Sequence, residues 1–277
     1  MSLPERFVER TLRELGAEEG RALCEALESE SPTSVRFNAS KCRPAGAAPV
    51  RPCSPADSAD ADAVARLLPD LPHLPLLRRV PWCDDGWYLR ERPSFTFDPD
   101  FHAGAYYVQE ASSQFVGHLL RGRLPVGARV LDLCAAPGGK SFFAAERMEN
   151  TGSVTSCDIY EHKLHKIQEG AQRLGLDNIH TQLQDAAQFR PEWEEAFDYV
   201  LCDVPCSGLG IIRKKPEIRY KDASALESLP EIQLAIVKNA ARYVKKGGIL
   251  VYSTCTVLRR ENEEIVEAFL NSTPQFE

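Results

Sequence analysis

Apolar and polar positions along the 277-residue chain change rhythm near residue 128. Beyond it, short apolar runs alternate with longer stretches whose apolar residues recur every three or four positions. Residues 129–133, 152–158, 179–184, 197–203 and 248–253 read as strands, and residues 139–148, 161–174 and 230–244 as amphipathic helices. Such alternation predicts an α/β fold built on a doubly wound, mostly parallel sheet. The first part of the chain is less regular. "MSLPERFVERTLRELG" suits an amphipathic helix with Phe7, Leu12 and Leu15 on or near one face, and "SVRFN" suits a strand. Residues 44–75, rich in Pro, Ala and Asp, read as a linker or loop with a short helix at 61–68. Aromatic-rich stretches follow, with a turn expected at Asp85-Gly86 and a helix from about Gln109. The pattern divides the chain into a small α+β amino-terminal segment, residues 1–100, and a main domain, residues 101–277.

Composition narrows the function classes. A hydrophobic content of 43% with 26% charged residues is ordinary for a soluble domain, and no run approaches the about 18 apolar residues of a membrane span. The opening residues lack the apolar core of a signal peptide. Nine cysteines are odd in number and form no CxxC pair, which argues against a zinc ribbon and for a reduced, cytoplasmic protein. The six histidines suggest no metal site. A net charge of −7 argues against a general polyanion binder but leaves room for a local basic patch. "IIRKKPEIRYK" is one, carrying Arg213, Lys214, Lys215 and Arg219.

Candidate chemistry gathers at the strand ends, where open α/β sheets bind ligands. "LDLCAAPGGKS" follows the first strand of the main domain and ends like a phosphate loop, but Cys134 stands where the first glycine of G-x-x-x-x-G-K-[ST] belongs. The dinucleotide fingerprint is missing too. Asp158 ends the second strand, placed for ribose hydroxyls, and Asp185 follows the third, placed for a base edge. Each aspartate alone reads equally well as a helix cap. Together with the loop Cys134, Ala135, Ala136, Pro137, Gly138, Gly139 and Lys140, they describe a nucleoside site without phosphates. S-adenosylmethionine has that shape. The Lys-Ser ending is then only a helix start.

"LDLCAAPGGKS", "DVPCSGLGIIRKKPEI" and "VYSTCTV", in that order, resemble motifs of the Sun-type RNA 5-methylcytosine methyltransferases. The resemblance covers roughly residues 100–270. The amino-terminal third is similar to the segment preceding the catalytic domain in ribosomal small-subunit members, whereas "IIRKKPEIRYK" looks closer to another branch. The resemblance implies a Rossmann-like methyltransferase fold, S-adenosylmethionine as cofactor, and an RNA substrate, ribosomal before transfer RNA. It implies Cys255 as the nucleophile, Cys206 as the group assisting product release, and Asp203 beside the base and the methionine end of the cofactor. Two thiols suit this chemistry, because carbon 5 of cytosine attacks a methyl sulfonium only after a thiolate has added to carbon 6. Lys140 is a candidate for the field that ionises Cys255. The basic segment is expected to grip RNA phosphates, and Arg36, with Arg78 and Arg79, to extend that surface. Trp82, Trp87, Tyr106 and Tyr107 are expected to pack between segments rather than stack on bases. The chain stops soon after the helix that follows "VYSTCTV", so the sheet is expected to lack the family's last two strands. A monomer without membrane attachment completes the expectation. The alternative class is a non-catalytic RNA-binding or ribosome-assembly protein on the same fold.

Overall fold

Two sheets of different character organise the chain in a computed structural model, which describes residues 3–42, 73–120, 122–221 and 226–277. The helix expected at 61–68 lies outside those residues. The main-domain sheet is parallel, formed by β5 (Arg129–Asp132), β6 (Ser153–Asp158), β7 (Ile179–Leu183), β8 (Phe197–Asp203) and β9 (Val244–Ser253), in the order β7-β6-β5-β8-β9. Helix α4 (Gly139–Arg147) connects β5 to β6, α5 (Glu161–Leu174) connects β6 to β7, and α6 (Leu229–Ala241) precedes β9. The order reverses between β5 and its neighbours β6 and β8, which opens a crevice at the carboxyl ends of β5 and β8. The central strands β5, β6 and β8 are buried by helices on both faces, with one core holding Val130, Phe142 and Ile167 and another Leu131, Val200 and Ile236, whereas edge strand β7 buries no residue fully and exposes His180 and Leu183. A last helix, α7 (Glu263–Ser272), packs Ile265 and Phe269 on Val237 and Ala241.

The amino-terminal sheet is antiparallel, with β1 (Ser34–Phe37), β2 (Leu76–Val80), β3 (Cys83–Leu89) and β4 (Tyr106–Val108) in the order β2-β3-β1-β4. It reaches past residue 100, the boundary expected from the pattern. Asp85-Gly86 is no turn but part of β3, paired opposite Arg36; the chain turns at Pro81-Trp82 instead. Gly86 is there for space, since a Cβ would lie 2.1 Å from Gln114 Oε1. The helix expected from Gln109 is delayed to α3 (Phe115–Leu120), after a single tight turn at Ser112–Gln114.

The opening helix is a hairpin. α1 (Glu5–Leu15) buries Phe7 and leaves Leu12 and Leu15 half-buried; Gly16, at φ 84°, breaks it, and α2 (Ala17–Glu28) returns.

The two sheets are joined at the carboxyl end of α5. Asn38 Nδ2 donates to Leu174 O at 2.8 Å and Lys41 Nζ to Arg173 O at 2.8 Å, so the small sheet caps the free carbonyls of that helix. Arg173 returns from α5 to Phe101 O at 2.6 Å. Among the described residues, no helix is long and apolar enough to cross a membrane.

Candidate active site

Parallel pairing brings the chemistry of distant motifs together. β8 and β9 are neighbours in register, with Asp203 opposite Ser253, so the loops that follow them emerge side by side. Cys206 and Cys255 thereby meet: their Sγ atoms are 3.1 Å apart, and Cys255 N–H points at Cys206 Sγ at 3.2 Å. Cys255 is exposed and Cys206 half-buried. The hydrogen bond from the Cys206 thiol brings the Cys255 thiol down to about 7; Lys140 and Lys215 lower it further, against burial and Asp203. Cys206 is driven the opposite way, well above an ordinary thiol, because its proton is held in that bond.

The β5 loop supplies the charge beside them. Lys140 Nζ, in the first turn of α4, pairs with Asp203 Oδ2 at 2.5 Å, while Ser253 Oγ donates to Asp203 Oδ1 at 2.8 Å. Ala135 N–H bonds Cys157 O at 2.7 Å and Gly138 takes φ 105° before α4, so the loop is fixed by its own backbone. Ser141 is more than a helix start, correcting the sequence expectation. Fully buried, it donates to Asp132 Oδ2 at 2.7 Å and accepts from Ser156 Oγ at 2.8 Å. Burial raises the Asp132 carboxyl to about 6. Cys134 lines the loop with its thiol pushed up by burial, and Cys157 and Cys202 are buried core residues.

Asp158 and Asp185 stand at the ends of β6 and β7, each with a local bond. Asp158 Oδ1 accepts from Tyr160 N at 3.0 Å and lies 3.4 Å from Lys163 Nζ. Asp185 accepts from Ala187 N at 2.9 Å. Both are turn bonds to the backbone two residues on, and neither caps a helix: α5 starts after Tyr160 with no side-chain cap, and no helix begins at Asp185. Neither bond uses the second oxygen of Asp158, and exposed Ile159 lies beside it.

The basic segment divides. Arg213 Nη1 donates to Ala26 O at 3.0 Å, at the end of α2, and Lys214 pairs with Glu110 at 2.9 Å. Lys215 is exposed and near enough to Cys255 to lower its thiol, and Arg219 is half-buried. Arg36 is no part of an RNA surface. Strand alternation turns Val35 and Phe37 into the amino-terminal core and Arg36 to the opposite face. That face is covered by α4, not by water. Arg36 is 1% exposed, 4.3 Å over the Phe143 ring, ion-paired with Glu146 and bonded to Gln109 Oε1 at 3.0 Å. Trp87 and Tyr106 are buried, and Trp82 Nε1 donates to Ala111 O at 2.7 Å.

Three residues of the site escaped the sequence reading. Glu261, Gln233 and Asn262 sit behind the cysteine loops: Glu261 Oε2 accepts from Ser207 N at 2.9 Å and from Gln233 Nε2 at 3.0 Å, and Asn262 Oδ1 accepts from Thr254 Oγ1 at 2.6 Å. In "RRENEE" Glu261 and Asn262 look like part of a solvated charge run, and Gln233 like a polar position of a helix. His73, Asp98 and Asp100 also come within 4.8 Å of one another, a cluster no sequence spacing suggested. The bond from His73 Nε2 to Asp98 Oδ2 at 3.0 Å already joins part of it.

A family model described as 16S rRNA methyltransferase RsmB/F matches residues 124–277. A model for the N-terminal domain of 16S rRNA methyltransferase RsmF matches residues 59–111. The chain is 48% identical over 179 residues to "Probable ribosomal RNA small subunit methyltransferase B" of Bacillus subtilis, over 64% of this chain and 40% of that one. It is 33% identical over 203 residues to "Ribosomal RNA small subunit methyltransferase F" of Erwinia tasmaniensis, over 72% and 42%. It thus spans about two fifths of the length of these curated relatives. A solved methyltransferase homologue from Pyrococcus horikoshii superimposes with a TM-score of 0.71 at 27% identity, over 97% of this chain and 83% of that one.

Proposed function

The chain belongs to the 16S rRNA methyltransferase RsmB/F family, and on that premise we propose that it methylates carbon 5 of a cytosine in small-subunit ribosomal RNA, with S-adenosylmethionine as donor. The observation that carries the proposal is the pair of thiols 3.1 Å apart, with the Lys140–Asp203 ion pair beside them. A single nucleophile would explain one thiol; two in contact suit a reaction that must form and then break a carbon–sulfur bond.

The residues present suit the cofactor. Lys140, the one cation of the loop 134–140, is paired with Asp203; Asp158 and Asp185 close the adjoining strands, and Ile159 gives an apolar plate beside Asp158. These residues would hold the nucleoside, and Asp203 would face the methionine end. When bound, S-adenosylmethionine supplies an electrophilic methyl group.

Cys255, partly thiolate near neutral pH, adds to carbon 6 and pushes electron density onto carbon 5. Asp203, held by Lys140 and Ser253, would bond the exocyclic amino group and the protonated ring nitrogen as charge develops. After transfer the carbon 5 proton passes to water, the electron pair of that C–H bond re-forms the ring double bond, and the Cys255 thiolate departs from carbon 6. Cys206, in contact with that sulfur, assists the release. Lys215 lies on the same rim and would meet RNA phosphate, with Arg219 behind it. Lys214 and Arg213 reach RNA only by leaving their present partners. Nine cysteines without a CxxC pair suit a reducing, cytoplasmic compartment.

RNA carrying 5-azacytidine, incubated with the protein and S-adenosylmethionine, tests the assignment. The Cys206→Ala variant should accumulate a covalent adduct and Cys255→Ala should form none. The opposite pattern would reverse the two roles, and adducts on transfer RNA but not on small-subunit ribosomal RNA would change the substrate.

A further inference from the structure

Outside the groups assigned to the reaction, one carboxylate is buried completely within reach of both cysteine loops. Glu261 closes the tight turn Arg259–Glu261 after the Thr-Cys loop and is 0% exposed. Among the described residues it forms no ion pair with a lysine or arginine. Its Oε2 accepts two neutral donors, Ser207 N–H at 2.9 Å and Gln233 Nε2 at 3.0 Å. Oε1 has no hydrogen-bond partner. A buried carboxylate held this way costs stability relative to an apolar side chain of similar volume. What it gives in return must be sought in geometry.

The geometry is specific. Gln233, from α6, also donates to Pro205 O at 3.0 Å, so the pair Gln233–Glu261 holds the backbone on both sides of Cys206. Glu261 is itself anchored to the end of β9, where Tyr252 O–H donates to Glu261 O at 2.7 Å. A second tie, Ser207 Oγ to Thr256 Oγ1 at 2.7 Å, runs parallel to it. Two loops 49 residues apart are thus fastened one residue beyond each cysteine. We propose that Glu261 is a positioning residue that fixes the contact between Cys206 and Cys255, acting through Ser207 N–H and, with Gln233, through Pro205.

The contact has a chemical consequence that can be read without turnover. The Cys206 thiol is the main group lowering Cys255; the others facing it are Lys140 and Lys215, which also lower it, and Asp203, which raises it. Loss of the Glu261 tie should let Cys206 drift away while those three stay. Cys255 should then behave more like a free thiol, near ~8.5.

The test is the pH profile of iodoacetamide alkylation, with Cys255 followed by peptide mass spectrometry. Glu261→Gln keeps an acceptor oxygen for Ser207 N–H and should retain the wild-type midpoint near about 7. Glu261→Met keeps the volume without the acceptor. It should move the midpoint upward and slow alkylation of Cys255 at neutral pH roughly tenfold. In a Cys206→Ala background, Glu261→Met should add no further shift, which separates positioning from general loosening. Should Glu261→Met fail to fold by circular dichroism, Gln233→Met, which releases Pro205 and one donor, carries the same expectation. A folded Glu261→Met with the wild-type midpoint overturns the proposal, as does Glu261→Gln shifting equally far. The inference rests on reading these thiols as the reacting pair, but alkylation needs neither RNA nor cofactor. A shifted profile beside absent methylation would sink the proposed function alone, and an unshifted profile beside normal methylation would sink this inference alone.

Discussion

Cys255 owes its ionisation to side chains from three loops. The Cys206 thiol comes from the loop after β8, Lys140 from the start of α4, and Lys215 from the basic segment; Asp203 opposes them. Lys140→Met removes a cation and leaves the Asp203 charge unpaired, and both changes disfavour the thiolate, so the alkylation midpoint of Cys255 should rise. Asp203→Asn removes the opposing charge and should lower it. Because the thiolate is the reactive form, Lys140→Met should react more slowly below about pH 7, and Asp203→Asn faster. Equal midpoints in both variants would show that neither charge reaches the sulfur.

The hairpin α1–α2 is a support for the site as well as an amphipathic unit. Leu3, Phe7 and Leu27 pack with Ile212 and Ile218, and Leu209, Ile211 and Val257 join the cluster. Those partners flank the basic segment and the Thr-Cys loop. Arg213 adds a bond to the end of α2, where a cation meets free carbonyls and the negative end of the helix. Phe7→Ala should therefore destabilise the protein by about 3 kcal/mol, measured by urea unfolding. It should also speed amide hydrogen exchange across residues 209–218, while the β5–β6 pair stays protected. Uniform acceleration throughout the chain would show that the hairpin has no special hold on this loop. Fold and site were unequally legible here. The periodicity of α5 gave both its ends, 161 and 174, because an amphipathic stripe on a sheet is a strong local signal. The hairpin's second helix was missed because Ala17–Glu28 carries few large apolar residues and buries only Gly20 and Leu27.

Between the two sheets, the molecule is held by an arginine that the sequence suggested for RNA. Arg36 crosses from β1 to Glu146 and Phe143 on α4, in an environment that lowers its guanidinium to about 10, chiefly through burial. Arg36→Ala leaves Glu146 unpaired and opens a cavity, so a loss of about 3–5 kcal/mol is expected in chemical denaturation. The salt dependence of RNA binding should be unchanged in whatever fraction stays folded, since no phosphate contact is lost. A shallower salt slope would return Arg36 to the RNA surface.

By itself the sequence determined the strands and helices of the main domain and brought each motif to a strand end. Strand and helix periods are local, and a short loop between a buried strand and a helix brings its residues to the strand end wherever the sheet lies. Cys134 in place of a glycine, the aspartates at 158 and 185, and the two cysteine motifs were all legible in this way. What only the tertiary structure decided is adjacency. Strand order placed β8 beside β9, and so Cys206 against Cys255; it also turned Lys140 to Asp203 and covered Arg36 with α4. Glu261 became a buried clamp inside a charge run that looks solvated. The physical reason is that exposure and hydrogen-bond partners come from segments far apart in the chain, and a single segment's pattern carries no record of what packs against it.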